Sequence, residues 1–363
     1  MTVQATEAPI DLAFPTSCPV LTRPIQTAVI GLGRSGITHA AVLSTIPECK
    51  VVAVADGRRD ARRNLAGLGC KAPGFETVKR LLSKTKPEAV IVSGPPDERV
   101  RDARLALEAG AAVMVDGPLG RTLEEGRELE RLAQSKGVPL AAAHPIAYHP
   151  VFAATQPLIS SRALGKLHQV RSSMYLSRVF SVRQKSEACP PNAGGGVLAQ
   201  AASDLLFLLI WYLGIPTQVR ATSNSVYGSP EDELHGMMAM AGGGEMGFDS
   251  SWSVPGYPRP ATVIECDGAA GKLLASDDAL ELDLFARRGG AGITRFGHAT
   301  LPRPGRFDLD GEALYLQDSA FLAWVTGGPA PPNRAEAAIQ VTRVIEALYA
   351  SAKDGGKPAA VPA

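Results

Sequence analysis

Three glycines constrain this chain more than any other feature. They stand in Val29-Ile30-Gly31-Leu32-Gly33-Arg34-Ser35-Gly36, directly after a short β-rich run, Thr27–Ile30, and at the opening of a helix-like stretch, Gly36–Leu43. In a strand-turn-helix unit of this spacing the first glycine permits the tight turn, the second lets a pyrophosphate approach the backbone, and the third lets helix and strand pack closely. The helix N-terminus supplies N–H donors for the phosphates. Asp56 ends the next apolar run, Val51–Ala55, twenty positions after Gly36. An acid there accepts hydrogen bonds from both adenosine ribose hydroxyls and repels a 2′-phosphate, which favours NAD(H). Arg58 and Arg59 leave NADP(H) open. Taken alone the glycines serve equally well as a plain tight turn, whereas strand, helix and acid together point to dinucleotide binding or to descent from it.

The same rhythm continues along the chain. Ala89–Val92 and Ala112–Val115 repeat the strand signal around a helical stretch, Arg99–Ala109, that Gly110 closes. Thr122 with Glu125 three residues on is a capping-box start, Gly137 is a stop, and Pro139–Ala143 reads as a further strand. Strands apolar nearly throughout, alternating with helices, predict a doubly wound parallel sheet covered on both faces. This Rossmann domain is placed at residues 27–147, behind a proline-containing arm, residues 1–26, read as extended or disordered. A chain of 363 residues has room for about two domains, and from 148 to 363 the pattern changes. A helix at Phe152–Ser160, a strand-like Leu167–Phe180, a Pro/Gly-rich loop at Cys189–Gly196 and an apolar helix at Val197–Leu213 come first. Short strands then follow in hairpin style, at Met237–Met240, Met246–Trp252, Thr262–Cys266, Lys272–Ala275 and Leu280–Phe285, before closing helices at Gln317–Val325 and Arg334–Ser351. The fold class expected is α/β, a Rossmann domain followed by an α/β domain with a large, mainly antiparallel open sheet.

A formal net charge of +1 gives no field to hold nucleic acid. The five cysteines, Cys18, Cys49, Cys70, Cys189 and Cys266, are scattered and form no C-x-x-C pair, which argues against a disulfide framework or a zinc ribbon. The spacing of His144 and His149 suits neither face of one helix, and no carboxylate or cysteine pair stands nearby, so no metal is expected. The first twenty residues lack a basic n-region and an unbroken apolar core, and the longest apolar run, Leu205–Ile215, is far short of the roughly 20 residues that cross a bilayer. The expectation is a soluble, cytoplasmic protein with no membrane insertion.

With a dinucleotide turn in its first half and an antiparallel second half, the chain resembles the Gfo/Idh/MocA family of NAD(P)-dependent oxidoreductases. The likeness runs through Gly31–His39, Asp56, Val115-Asp-Gly-Pro118 where the family has Glu-Lys-Pro, Gly194–Asp204 where it has three glycines leading into a helix with Asp-x-x-x-His, then Gly268–Leu274 and Ala347–Gly355. The resemblance implies hydride transfer between nicotinamide and a carbinol carbon, with a lysine and a helix-borne histidine polarising the hydroxyl and taking its proton. It implies cofactor contacts at Gly31, Gly33, Arg34, Ser35, Gly36, Asp56, Arg58, Pro95, Asp116 and Gly117, and a homodimer or higher oligomer formed through the C-terminal sheet.

The chain departs from the family pattern at each catalytic position. The lysine is Gly117; in a gapless alignment the aspartate is Gln200 and the histidine Asp204, or Ser203 if the register shifts by one, and the arginine common before the aromatic-x-Pro is Ala147. Glutamine cannot titrate, and an aspartate is a weak base at neutral pH unless burial changes it. Gln200 and Asp204, at i and i+4, share one face of a regular helix. His144, Tyr148 and His149 cluster after the last Rossmann strand, as replacement proton-transfer groups or as packing and hydrogen bonding at a domain junction. Tyr175, Arg178 and Lys185 lie in the segment facing the same cleft, the two basic residues read as surface, and His39 reads as structural. These departures favour a pseudo-oxidoreductase acting as scaffold, partner-binding or NAD-sensing protein, with the arm and the open sheet as interaction surfaces. The alternative is an active NAD(P)-dependent oxidoreductase on a sugar, nucleotide sugar or cyclitol, with Asp204, Gln200, His144 or Tyr148 in non-standard roles.

Overall fold

A computed structural model describes residues 19–67, 70–181, 195–227, 230–241, 243–285, 293–297 and 311–362. Most of the expected arm, Cys18, Lys185, Cys189 and the loop up to Gly194 lie outside the described residues. The first sheet is built from β1 (Ile25–Ile30), β2 (Cys49–Ala55), β3 (Gly74–Phe75), β4 (Ala89–Val92), β5 (Ala112–Asp116) and β6 (Leu140–Ala143). All its pairings are parallel, in the order β3-β2-β1-β4-β5-β6. Its central strands are apolar over most of their length because each face has its own core. Ala28, Ile30, Val90 and Val113 pack on one side, and Val29, Ile91 and Met114 on the other.

Five helices cover those faces: α1 (Arg34–Leu43), α2 (Arg59–Gly67), α3 (Val78–Thr85), α4 (Pro96–Glu108) and α5 (Leu123–Lys136). The expected punctuation of α5 is present, with the Thr122 hydroxyl accepting from the Glu125 N–H and Gly137 in the left-handed conformation at the other end. The strand order reverses between β1 and β4, which opens a crevice at the carboxyl ends of the strands. The β1–α1 turn and the segments after β4 and β5 border it.

The second sheet has nine strands: β7 (Leu167–Tyr175), β8 (Pro216–Asn224), β9 (Glu233–Met240), β10 (Glu245–Ser251), β11 (Ala261–Gly268), β12 (Gly271–Ser276), β13 (Ala279–Leu284), β14 (Ile293–Gly297) and β15 (Ala359–Ala360). It is antiparallel except where β7 lies parallel to β10. Strand residues alternate as a one-sided sheet requires: Val170, Ser172 and Met174 of β7 face inward while Arg171 is exposed. The inner face packs on α6 (Pro150–Ser160), α8 (Ser203–Leu213) and α10 (Ala335–Lys353). The strand expected to reach Phe180 stops at Tyr175, because both of its ladder partners end there, at Ser251 and Ala261. The short α7 (Arg178–Ser181) follows.

Two helices return to the first sheet. In α9 (Gly311–Val325), Phe321 and Leu322 join the core of Val29, Leu43 and Met114. In α10, Ala335, Ala338 and Ile339 pack with Leu123 and Leu129, while Val344, Ile345 and Leu348 of the same helix belong to the core under the second sheet. The helix α10 thus packs against the cores of both sheets. No described helix is long and apolar enough to cross a membrane.

Glu231, between β8 and β9, anchors the helix that approaches the crevice. Its carboxylate accepts from the N–H groups of Gly196 (3.0 Å) and Leu198 (3.3 Å) and from the Tyr349 hydroxyl (2.8 Å). The glycines before that helix are there for space: a Cβ on Gly195 would fall 2.4 Å from the Tyr349 hydroxyl, and one on Gly196 would fall 1.8 Å from the Glu231 carbonyl oxygen. Glu231→Ala, which strands three buried donors, is expected to cost on the order of 2–3 kcal/mol in urea unfolding. Glu231→Gln, which keeps an acceptor, is expected to cost less than half of that.

Candidate active site

The glycine turn has the geometry of a phosphate cradle. Gly31 sits at φ +84°, and a Cβ there would lie 2.4 Å from the Gly94 nitrogen, so the β1–α1 turn and the segment after β4 touch through bare backbone. A Cβ on Gly36 would fall 1.8 Å from the Gly31 carbonyl oxygen. Gly33 differs, since among the described residues nothing lies within 4 Å of where its Cβ would be. It is also the N-cap of α1 and supplies no side chain to the first amides, which remain available to an anion. Arg34 and Ser35 are exposed at the same mouth. Room, donors and dipole together fit a dinucleotide pyrophosphate.

At the end of β2, Asp56 accepts from the Leu32 N–H (2.7 Å) and the Arg58 N–H (2.8 Å), and the Arg58 guanidinium lies against both its oxygens at 3.2 Å. Partial burial opposes its ionisation, but these donors outweigh burial and hold the carboxyl below the usual carboxylate range. Pro95, exposed, caps α4 after β4.

Arg99 was missed at the sequence level. Its guanidinium donates to the carbonyls of Gly94 (2.8 Å), Asp116 (2.7 Å) and Gly117 (2.9 Å), tying the ends of β4 and β5 together. The available signal was a cation in the first turn of α4, where the helix dipole disfavours one. His39, expected to be structural, is fully buried between two carboxylates. Its Nδ1 meets Asp318 at 2.8 Å and its Nε2 meets Asp116 at 3.4 Å. Burial alone would lower its pKa, but the two carboxylates overcome this and push it up to about 10. Asp116 is held low by His39 and Arg99 against its own burial, with Ser35 contributing, while burial raises Asp318.

Next to Gly117, the site candidates converge. His144 is fully buried, stacks on Phe207 at 4.6 Å, and its Nδ1 lies 2.8 Å from Oδ1 of Asp204 on α8. Its ring rests on the Cα of Gly117: a Cβ there would stand 2.8 Å from His144 Cε1 and 2.8 Å from the Ala143 carbonyl oxygen. The His144 N–H donates to Gln317 (2.6 Å), the neighbour of Asp318. Gln200 lines a narrow cavity with Arg99, Gly117, Pro118 and Ala199, and is held by Arg178 (3.2 Å) and the Gly195 carbonyl (2.7 Å). Residues Leu198–Ala202 form a wider π-turn rather than regular α-helix, so the simple i, i+4 phase expected for Gln200 and Asp204 does not apply there. Gln200 adjoins Gly117 through the cavity, and Asp204 adjoins it through His144.

Other candidates are placed differently. The Tyr148 hydroxyl is buried and donates to Asn333 (2.7 Å), whose amide donates to the Ala142 carbonyl (2.6 Å), and burial raises its pKa far above the ordinary tyrosine value. These bonds place Tyr148 at the junction between β6 and the segment leading into α10. Arg178, read as surface, instead lies over the Trp252 ring at 4.7 Å and reaches Gln200. Tyr175 leans on Tyr257. His149 packs on Phe152.

The sequence matches the description "Oxidoreductase family, NAD-binding Rossmann fold" over residues 25–144 and "GFO/IDH/MocA C-terminal domain" over 152–273. The chain belongs to the Gfo/Idh/MocA family. An uncharacterized oxidoreductase of Schizosaccharomyces pombe is 30% identical over 207 residues, a match that spans 56% of this chain and about half, 55%, of that protein. The D-glucoside 3-dehydrogenase of Escherichia coli is 25% identical over 92% of this chain and 96% of its own length. Levoglucosan dehydrogenase, solved with NADH and L-sorbose, superposes with a TM-score of 0.83 at 18% identity, covering 93% of this chain and 99% of that one, which establishes the shared fold. The Gfo/Idh/MocA Rossmann domain accounts for the open cradle at Gly33.

Gly117→Ala is expected to cost about 1–3 kcal/mol, because the methyl group must displace either the His144 ring or the Ala143 carbonyl. Thermal unfolding of the variant measures this. The His39 shift gives a pH signature. A raised pKa means that its contribution is complete below about 6.5 and is lost as pH rises through about 10. Unfolding free energy should therefore fall across that window in the wild type, and the fall should be smaller in His39→Gln.

Proposed function

We propose that this protein is a nicotinamide-dependent oxidoreductase acting at a carbinol carbon of a sugar, nucleotide sugar or cyclitol, with Asp204 as proton acceptor and His144 as the residue that positions it. The carrying observation is the 2.8 Å contact between His144 Nδ1 and Asp204, seated against the Cα of Gly117. A lysine at 117 would collide with the imidazole through its own Cβ. Gly117 and His144 therefore read as one coupled exchange of proton-transfer machinery rather than as separate losses. The pseudo-oxidoreductase reading rests on the altered family positions alone, and a filled site weighs against it.

The chemistry follows from exposure. Hydride leaves a carbinol carbon only as its oxygen sheds a proton, so a base has to stand at that oxygen. The Asp204 side chain is 31% exposed and that of His144 is 0% exposed, so the carboxylate is the member that reaches substrate. His144 donates its Nδ1–H to that carboxylate, and this tautomer leaves the buried Nε2, which has no partner among the described residues, as a bare lone pair instead of a stranded N–H. Phe207 stacking and the Gln317 bond fix the ring behind the carboxylate. Gln200, held by Arg178, offers a neutral polar edge to hydroxyl groups. Gly31, Gly33, Arg34, Ser35 and Gly36 would hold the dinucleotide phosphates, Asp56 and Arg58 its adenosine end, and Pro95, Asp116 and Gly117 the end nearer the dyad. The nicotinamide supplies hydride transfer when bound. The sugar-directed names of the glucoside and levoglucosan dehydrogenases support the substrate class.

The test is deuteride transfer from C4-labelled NADH and NADPH to a panel of sugar, nucleotide-sugar and cyclitol ketones, read by mass spectrometry. Asp204→Asn should lower kcat about 10²–10⁴-fold with KM changed only a few-fold. His144→Gln should lose less in kcat, with KM likewise changed only a few-fold. Absence of transfer to every member of the panel, by protein that binds the cofactor, would leave the silent reading in possession.

A further inference from the structure

Where the second sheet meets the crevice, Arg178 is held more firmly than a surface cation needs to be. Its chain neighbours are pinned on both sides. The Ser177 N–H donates to the Tyr257 carbonyl (2.7 Å) and its hydroxyl to the Val254 carbonyl (2.6 Å), while the Val179 N–H donates to the Trp252 carbonyl (3.3 Å). Between them Arg178 is half-buried, with its guanidinium 4.7 Å from the centre of the Trp252 ring and Nη1 donating to Gln200 Oε1 at 3.2 Å. Gln200 gives its Nε2 to the Gly195 carbonyl (2.7 Å), which turns its oxygen toward the arginine. Both of these partners are neutral. A carboxylate at 200 would engage the cation in an ion pair, whereas an amide and an aromatic face fix its direction without neutralising it.

We infer that Arg178 is a specificity determinant: it receives an anionic substituent of the substrate, a carboxylate or a phosphate ester, so that the preferred substrate is a sugar or cyclitol carrying such a group. This rests on the crevice being the substrate site of an oxidoreductase, with Asp204 at the reacting hydroxyl. The placement supports it. Gln200 lines the narrow cavity beside Gly117 and precedes Asp204 by four residues, so the group that holds the cation stands about one helical turn, roughly 5 Å, from the proton acceptor. A substituent on the same ring as the reacting carbon spans that distance. The corner is also rich in donors. Guanidinium and indole N–H groups only donate, and Trp252 Nε1 is buried with no partner among the described residues, as is the hydroxyl of Ser253 beside it. An oxyanion is the group that such a corner calls for, and the guanidinium fork matches the oxygens of carboxylate and phosphate alike.

Isothermal titration of the protein in the presence of NADH, and separately of NADPH, tests this with D-glucuronate, D-glucose 6-phosphate, the neutral isostere D-glucuronamide and D-glucose as probes, and with the galacto series alongside. The wild type should bind the carboxylate or the phosphate at least about tenfold more tightly than the amide and the parent sugar, and the better of the two names the group. Arg178→Gln should abolish that preference. Gln200→Asp, which keeps Arg178 but sets a carboxylate against it, should reduce the preference as well, with circular dichroism confirming that both variants fold. Equal binding of acid, phosphate and amide by the wild type overturns the inference, as does a preference that survives both variants. Turnover of neutral sugars with no preference for the charged probes overturns it and leaves the oxidoreductase reading intact. A preference carried by Arg178 without turnover of any probe upholds it and counts against Asp204. Binding of none of the probes overturns it.

Discussion

The approach of α1 to the β1 turn governs what the rest of the crevice can be. Because residue 36 has no Cβ, the Gly31 carbonyl occupies the space where one would stand. That contact seats α1 deeply enough for His39, one turn further on, to reach between Asp116 at the end of β5 and Asp318 on α9. The neighbour of Asp318, Gln317, holds the backbone of His144, and the His144 ring meets both Gly117 and Asp204. A single chain of contacts thus runs from the dinucleotide turn to the proposed proton acceptor. It passes through one helix that follows β1 and another that lies almost three hundred residues downstream.

That continuity explains why the two sheets behave as one site. Asp204 stands on α8, whose approach is set by Glu231 at its leading end and by Phe207 and its neighbours in the core beneath the second sheet. The imidazole it meets comes from the residue immediately after β6, in the first sheet. Neither half holds both members of the dyad. The helices α9 and α10, which pack in the first-sheet cores, keep the members in register, so distant packing at Phe321 or Ile339 bears on a 2.8 Å contact in the crevice.

The parts of the molecule legible in the sequence are those with local causes. Ala28 and Val29 go to opposite cores because a strand alternates, and a run apolar on both faces announces a covered parallel sheet. Thr122 and Gly137 mark helix ends through bonds that span three or four residues. The glycine turn was readable for the same reason. The partners of His39, by contrast, lie 77 and 279 residues away, and no spacing rule reaches them. His144 and Asp204 were each singled out, yet their pairing across 60 residues is a property of the folded chain. The helical phase of Gln200 failed for a different reason: the π-turn adds a residue per turn that hydrophobic periodicity does not register. Arg58 was seen as a residue that left NADP(H) open, but its grip on Asp56 depends on a guanidinium conformation that composition cannot specify.

The buried charges around Asp116 are better understood as a positioning device than as a source of stability. Removing ions from water costs several kcal/mol each, and a well-packed apolar replacement is often as stable as a buried pair. His39 and Arg99 nonetheless converge on Asp116 from opposite sides, one on its carboxylate and the other on its carbonyl. An apolar core would fill that volume but would hold nothing in direction. Charged hydrogen bonds specify angle and distance together, and here they fix the end of β5, where a Cβ on Gly117 would stand 2.8 Å from His144 Cε1. The two carboxylates on His39 also differ in consequence. Asp318 is sealed away and its pKa is raised by burial, whereas Asp116 stays ionised at the edge of the crevice under two cations. The cluster therefore maintains a fixed negative charge beside the one glycine whose missing side chain makes room for the dyad.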